Sequence, residues 1–144
     1  MNACIVIPVL NEEEQLVSSV CRVHDALMRC WGPGFSLVIA DNGSTDATPH
    51  IAAELAHQYS EVEVLRLDKR GRGGALRSAW LGSMAEVLAY MDVDLSTNLV
   101  HLSELLKAIA SDRCDIVIGS RLLRKSQVER CFKREVLSLS LIHI

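Results

Sequence analysis

Short apolar runs alternate along this chain with segments whose apolar residues recur at helical spacing. The first run, residues 3–9 (Ala-Cys-Ile-Val-Ile-Pro-Val), is rich in β-branched residues and apolar throughout, which is typical of a strand buried on both faces of a parallel sheet. Further strands are predicted at 36–40, 61–67, 87–91 and 115–118; the second of these alternates at period two and predicts an edge strand. Helices are predicted between the strands: one opened by Asn11 as its N-cap with three glutamates in its first turn, and others from about residues 47, 74 and 99. Strand and helix alternating in this way predict an α/β fold with a mostly parallel sheet flanked by helices.

The composition is that of a globular protein, with 49% hydrophobic and 23% charged residues among 144, which excludes a disordered tail. The net charge of −3 and the pI of about 5.9 argue against a generic nucleic-acid-binding protein, so nucleic acid is not an expected partner. No apolar run reaches the roughly 18 residues of a membrane-spanning helix, and no basic leader precedes the first strand. We therefore expect a cytoplasmic protein.

Polar segments follow the predicted strands, at 8–12, 41–44, 69–74, 92–94 and 119–121. Ligands of open α/β sheets bind beyond the carboxyl ends of the strands, so we expect these segments to share one end of the sheet.

Asp92 and Asp94 are the sharpest of these features, because two carboxylates one residue apart leave an apolar strand together. Hard cations such as Mg²⁺ take oxygen ligands and usually keep substrate phosphates as further ligands. The pair therefore predicts a site for a metal ion with a diphosphate. The alternative is that both are solvated acids that cap the following segment.

The segment 69–74 is basic and rich in glycine. Its cations, its accessible backbone N–H groups and the start of a helix near Gly74 would suit a phosphate, although a solvated surface turn has the same composition. It is not a dinucleotide fingerprint, because that motif should follow the first strand, where Leu10-Asn11-Glu12 contains no glycine. Asp41 could accept N–H or O–H groups of a nucleoside, or could fix a local turn at Asn42-Gly43.

Five segments in this order resemble the motifs of family 2 glycosyltransferases: 5–12 the P-x-[YL]-N-E opening, 38–46 the V-D-D-G-S-x-D motif, 70–77 the basic glycine segment, 91–96 the DxD motif and 119–121 the G-S-R motif. The resemblance extends from about residue 3 to residue 138. Within the family it is similar to polyprenyl-phosphate sugar transferases of the dolichyl-phosphate mannose or glucose synthase type.

This resemblance implies a Rossmann-like GT-A fold that binds a UDP- or GDP-sugar, with Asp92 and Asp94 holding Mg²⁺ or Mn²⁺ against the donor diphosphate. Two positions depart from the motifs, since Asn42 replaces an Asp and Leu10 replaces a Tyr on which a base could stack. The positions that the resemblance assigns to the nucleotide-sugar are Pro8, Leu10, Asn11, Glu12, Asp41, Arg72, Gly73, Asp92, Val93, Asp94 and Arg121.

The implied reaction is an inverting displacement that moves a sugar to an acceptor, expected to be a polyprenyl phosphate. A phosphate acceptor is already anionic, so it needs no general base of the kind that a hydroxyl acceptor requires. The basic residues of 121–134 suit such an acceptor, and a lipid acceptor would bring the protein to the cytoplasmic face of a membrane. Any general base is expected beyond this chain.

The last six residues, 139–144, correspond to the translation of a transposase adaptor used in sequencing libraries. We therefore expect them to be non-native, and residues 1–138 to be the nucleotide-sugar-binding part of a GT-A domain that is incomplete at its C-terminus. On this expectation the 144-residue chain itself has little or no transfer activity.

Two other functions remain open from the sequence. One is a non-catalytic nucleotide-binding chain. The other is a haloacid-dehalogenase-type phosphatase, because 92–96 also resembles its motif, with Asp92 as nucleophile and Asp94 as acid. That motif belongs on the first strand of its domain, and here three strand–helix units precede it.

Overall fold

The computed structural model of the protein describes residues 1–68, 71–96 and 98–119. These residues form four strands, β1 (Ala3–Val9), β2 (Phe35–Asp41), β3 (Val62–Arg66) and β4 (Val87–Tyr90). Between and after them lie the helices α1 (Leu16–Cys30), α2 (Thr48–Gln58), α3 (Arg72–Gly82) and α4 (Leu102–Ala110), the last preceded by a short 3₁₀ turn at Leu99–His101. None of the helices in these ranges is long and apolar enough to cross a membrane.

All the strands pair in parallel, in the order β3-β2-β1-β4. The register sets Val9 beside Asp41, and Asp41 beside Arg66. The parallel sheet and the edge position of β3 are thus confirmed. Because the strands are parallel, all their carboxyl ends lie at the same end of the sheet, which we call the carboxyl end.

The two faces of the sheet are covered by different helices. Ile5, Ile7 and Ile39 face the main core, to which α1, α2 and α4 contribute apolar residues. Val6 and Ala40 face the other side, where α3 packs. The chain runs from β1 through β2 to β3 at one edge of the sheet, and then returns past β2 and β1 to β4 at the other edge. The right-handed crossover of this return places α3 on the opposite face of the sheet.

The predicted fifth strand at 115–118 is wrong. The structure pairs these residues with no strand among the described ranges, and Ile116 and Ile118 are 77% and 80% exposed. An apolar run becomes a strand only where a neighbouring strand supplies ladder hydrogen bonds, and the pattern of a four-residue run does not specify that neighbour.

The predicted start of the first helix at Asn11 is also wrong. Helix α1 begins at Leu16, and Asn11 has a φ of 56°, which is incompatible with helix. Its side chain bonds instead to a distant loop, as described below. The remaining helices begin within a few residues of their predicted starts.

Candidate functional site

The carboxyl end of the sheet brings most of the predicted site residues together. Val9 ends β1 and Asp41 ends β2 at the same level, while the segment with Asp92 and Asp94 follows β4 on the other side of β1. Neighbouring strands lie about 4.8 Å apart, so β1 separates the two acidic positions by roughly two strand spacings. This is a span across which one extended ligand can reach.

Asp41 is fully buried at this end of the sheet, at 0% exposed. Its Oδ1 accepts a hydrogen bond from the Ser44 backbone N–H at 2.9 Å, as an Asx turn requires. Its Oδ2 is buried and has no hydrogen-bond partner among the described residues, although the Nε of Arg66 lies 3.9 Å away. Leaving a buried carboxylate oxygen without a hydrogen-bond donor costs free energy, so this atom can accept a hydrogen bond from a further donor.

The loops after β1 and β2 hold each other through hydrogen bonds, and we call residues 11–13 and 44–48 together the loop clamp. The Asn11 backbone N–H donates to Ser44 Oγ at 2.9 Å, and Asn11 Oδ1 accepts from the Thr45 backbone N–H at 2.8 Å. The Glu12 backbone N–H donates to Oγ1 of the buried Thr48 at 2.8 Å. These bonds join residues more than 30 positions apart and fix one loop against the other.

The same clamp continues through two acidic side chains. Glu13 Oε2 accepts from the Ala47 backbone N–H at 2.8 Å, and Asp46 Oδ2 accepts from the Glu13 backbone N–H at 3.3 Å. Asn11 was predicted to contact the nucleotide-sugar, but its backbone N–H and its side-chain Oδ1 bond to Ser44 and Thr45 within the protein. Their observed effect is to position the loop beside Asp41.

The segment after β4 forms a tight turn, residues 92–96, which we call the acidic turn. The Leu95 backbone N–H donates to the Asp92 carbonyl at 3.2 Å, and Asp94 Oδ1 accepts from the Ser96 backbone N–H at 2.9 Å. Asp92 and Asp94 are exposed, whereas Val93 between them is only 6% exposed and joins the main core. The turn therefore presents two carboxylates outward on a buried anchor.

A contact that the sequence did not predict supports this turn from below. The Oγ of Ser19, which is 4% exposed on the inner face of α1, donates to the Val93 carbonyl at 2.5 Å. The sequence did contain a signal, because Ser19 is a polar residue on the face formed by Leu16, Val20 and Val23. A hydroxyl on such a face needs a partner in the core.

The donor set of the acidic turn fits a metal that is shared with a ligand. Two exposed carboxylates offer hard oxygen ligands, and the described residues contain no group of three His, Cys, Asp or Glu that could hold an ion alone. Mg²⁺ is bound in this way, by one or two carboxylates together with phosphates. The turn thus fits a metal–diphosphate complex better than a bare ion.

The basic side of the site is partly described. Helix α3 begins at Arg72. A Cβ added at Gly73 or Gly74 would meet no atom within 4 Å, so this backbone is open to approach. Residues 69–70 and Arg121 lie outside the described residues.

A groove of about 520 Å³ lies elsewhere, near Gly34, Ser36 and Ser83, and contains none of the predicted site residues.

Comparison with known proteins settles the family. Residues 4–141 match the sequence model of the group described as glycosyl transferase family 2. The chain belongs to this family. It is 34% identical over 135 residues to the glycosyltransferase AglD of Haloferax volcanii, and 30% identical over 145 residues to the dolichol-phosphate mannosyltransferase of Pyrococcus furiosus. These matches cover 92% and 100% of this chain but 22% and 40% of the relatives, so the chain spans less than half the length of either.

Solved structures agree with this family at the level of the fold. The mannosyltransferase PcManGT of Pyrobaculum calidifontis, solved with GDP-Man and Mn²⁺, superposes with a TM-score of 0.63 at 22% identity. The match covers 76% of this chain and 32% of that one. The predicted Rossmann-like GT-A fold is therefore confirmed.

Two site positions differ from the usual family 2 motifs. Leu10 replaces a Tyr and is 38% exposed, so it offers a ligand a smaller apolar surface. Asn42 replaces an Asp and is 5% exposed; its backbone N–H donates to the Val9 carbonyl at 3.0 Å. Its Oδ1 is buried without a hydrogen-bond partner in the described ranges, as Oδ2 of Asp41 is. Pro8 is half-buried near the end of β1 and lies beside Ala40 of β2.

Proposed function

We propose that this family 2 chain binds a nucleoside diphosphate sugar across the carboxyl end of its sheet, for transfer of the sugar to an acceptor. The observation that carries the proposal is the placement of Asp41 and the acidic turn on either side of β1. The nucleoside of such a donor would lie beside Asp41, and its diphosphate would lie at the acidic turn.

The nucleoside would lie at the end of β2. Oδ2 of Asp41 is buried, has no hydrogen-bond donor among the described residues and lies 3.9 Å from the Arg66 Nε. As an acceptor it suits the ring N–H that both uracil and guanine carry. The loop clamp holds the neighbouring backbone in place before a ligand arrives, so little ordering cost remains at binding. We accordingly propose a UDP- or GDP-sugar as donor.

The diphosphate would lie at the acidic turn, with Asp92 and Asp94 holding Mg²⁺ or Mn²⁺. When bound, the metal would neutralise charge on the departing nucleoside diphosphate. The structure of PcManGT with GDP-Man and Mn²⁺ supports this pairing of donor and metal in a protein of the same fold. The helix start at Arg72 and the open backbone at Gly73 would face the phosphates.

We propose a polyprenyl phosphate as the acceptor and inversion at the sugar carbon as the stereochemical course. The similarity to a dolichol-phosphate mannosyltransferase over the whole chain supports this class of acceptor. A phosphate oxygen attacks as an anion, so no side chain need remove its proton. Such an acceptor would place the protein at the cytoplasmic face of a membrane, as a peripheral protein.

Calorimetric titration of UDP and GDP, each with Mn²⁺ and with EDTA, tests this proposal. We expect one of the two to bind, with an affinity that falls at least about 10-fold when the metal is removed or when Asp92→Asn or Asp94→Asn is introduced. Asp112→Asn is the matched control, because Asp112 is also exposed but follows α4, outside the acidic turn.

Binding that is equal with and without metal, and unaffected by either substitution in the turn, would contradict the metal–diphosphate assignment. Hydrolysis of a phosphate ester that depends on Asp92, without nucleoside diphosphate binding, would favour phosphatase chemistry instead. Metal-dependent binding together with the absence of any transfer would describe a nucleotide-binding chain.

A further inference from the structure

We propose that Ser19 is a positioning residue for the acidic turn: its hydroxyl fixes the orientation in which Asp92 and Asp94 meet a metal–diphosphate complex. The inference rests on the proposed function and adds to it a residue of α1 that contacts neither metal nor ligand. Ser19 reaches the turn across 74 positions of sequence.

The hydrogen bond acts on the peptide plane between the two acids. The carbonyl of Val93 belongs to the planar unit that also carries the backbone nitrogen of Asp94. Rotation of that plane would move Asp94 relative to Asp92, and the bond from Ser19 Oγ at 2.5 Å opposes this rotation. The bond is shielded from water, because Ser19 is 4% and Val93 6% exposed.

The turn needs such a restraint because its backbone is otherwise strained. Leu95 has a φ of 48°, in the left-handed region that costs a non-glycine residue roughly 1 kcal/mol. A strained conformation persists only where its surroundings over-determine it. The buried side chain of Val93 supplies one restraint, and the hydroxyl of Ser19 supplies a second at the adjacent carbonyl.

The direction of this hydroxyl bond distinguishes Ser19 from most serines within helices. A serine within a helix commonly bonds back to the carbonyl four residues earlier, and here the Ser19 backbone N–H already bonds to Gln15. The side chain instead bonds to the carbonyl that joins the two acids of the site. The expected consequence concerns metal affinity as well as stability.

The test measures the Mn²⁺ concentration that half-saturates the chain in the presence of UDP or GDP, from the electron paramagnetic resonance signal of free Mn²⁺. The Mn²⁺ that the nucleotide binds without the chain is measured separately and subtracted. For Ser19→Ala we expect this concentration to rise about 10-fold, at the lower end of the effects seen when a group that orients a metal ligand is removed. Ser18→Ala is the matched control, because it makes the same change one residue away on the exposed face of α1. Ser18→Ala should leave the half-saturating Mn²⁺ concentration unchanged. Ser19→Thr, which keeps the hydroxyl, should have the half-saturating concentration of the unsubstituted chain.

Thermal unfolding of each variant separates metal affinity from folding. If Ser19→Ala is not folded, Ser19→Cys fills the same space with only a weak donor and is expected to shift the half-saturating Mn²⁺ concentration in the same direction. A folded Ser19→Ala or Ser19→Cys with the half-saturating concentration of Ser18→Ala would overturn the inference. Failure of the unsubstituted chain to bind any nucleoside diphosphate with Mn²⁺ would overturn the proposed function and this inference together, and is recognised before any variant is made.

Discussion

The loop clamp and the acidic turn lie at the same end of the sheet but are held in place in different ways. The clamp is fixed by hydrogen bonds between two loops, several of them to the buried or half-buried residues Ser44, Thr48 and Glu12. Among the contacts that the structure describes, the acidic turn is held by short-range bonds within 92–96 and by a long-range bond from Ser19. The end of the sheet at Asp41 is thus part of the folded core, whereas the acidic turn is exposed and rests on that core.

This difference predicts that substitutions on the two sides affect different quantities. Changes in the clamp should lower the free energy of unfolding, because they leave buried backbone groups unpaired. Changes to the exposed acids should lower metal-dependent binding and leave the free energy of unfolding almost unchanged.

Thr48→Val is expected to have the largest effect. Valine has the same shape but cannot accept the hydrogen bond from the backbone N–H of the half-buried Glu12, which loses its 2.8 Å partner. We expect the free energy of unfolding in urea to fall by about 1–3 kcal/mol. Thr45→Val is the matched control on an exposed residue, whose hydroxyl lies 3.4 Å from Asn11 Oδ1.

The control and Asp94→Asn should each change the free energy of unfolding by less than about 0.5 kcal/mol. A loss in Asp94→Asn as large as that in Thr48→Val would show that the acidic turn is as integral to the fold as the clamp. The comparison between the two sides would then fail.

Asn11 separates the two contributions within the clamp, its side-chain bond and its backbone conformation. Asn11→Gly loses the 2.8 Å bond to the Thr45 backbone N–H but readily adopts a φ of 56°. Asn11→Ala loses the same bond and also bears the left-handed backbone penalty. We therefore expect Asn11→Ala to be less stable than Asn11→Gly by about 1 kcal/mol in urea unfolding. Equal stabilities would mean that the backbone at residue 11 changes when the side chain is removed.

The smallest expected effect is a dependence of stability on pH that arises in the clamp. Desolvation raises the pKa of Asp46, but hydrogen bonds from Thr48 and Glu13 outweigh it and hold that pKa below its ordinary value of 3.8. A lowered pKa stabilises the fold above the ordinary value, and this stabilisation is lost as the pH falls through the lowered one.

Urea unfolding of the wild-type chain and of Asp46→Asn between about pH 5 and pH 3 checks this effect. The wild-type chain should lose stability over this range more steeply than Asp46→Asn, because the amide does not titrate. Parallel curves for the two proteins would exclude Asp46 as the source of the acid sensitivity.

Much of this site could be predicted from the sequence, because the spacing of apolar residues and the positions where strands end are local properties of the chain. The apolar run 3–9 and the alternation of strand and helix predicted a parallel sheet, and a parallel sheet places Asp41, Asp92 and Asp94 at one end without further information. The match of residues 4–141 to glycosyl transferase family 2 confirms the family that the motifs indicated.

The contacts that position those acids could not be predicted, because they join residues far apart in the chain. Asn11 looked like a helix cap, since its neighbours suit a first turn, but its side chain bonds to Thr45, 34 positions away. The partner of Ser19 is 74 positions away. The strand expected at 115–118 failed for a related reason, because no local pattern specifies the neighbour with which a strand pairs.

The most direct test of the central claim, that one nucleoside diphosphate spans the end of β2 and the acidic turn, is paramagnetic broadening in the amide spectrum of the ¹⁵N-labelled chain. With UDP or GDP present, replacing Mg²⁺ by Mn²⁺ should broaden the signals of Val93 and Leu95 most. The signal of Asn42 should broaden less and that of Asp112 least, with much weaker effects when the nucleotide is omitted. Broadening centred elsewhere, or equal with and without nucleotide, would contradict the account.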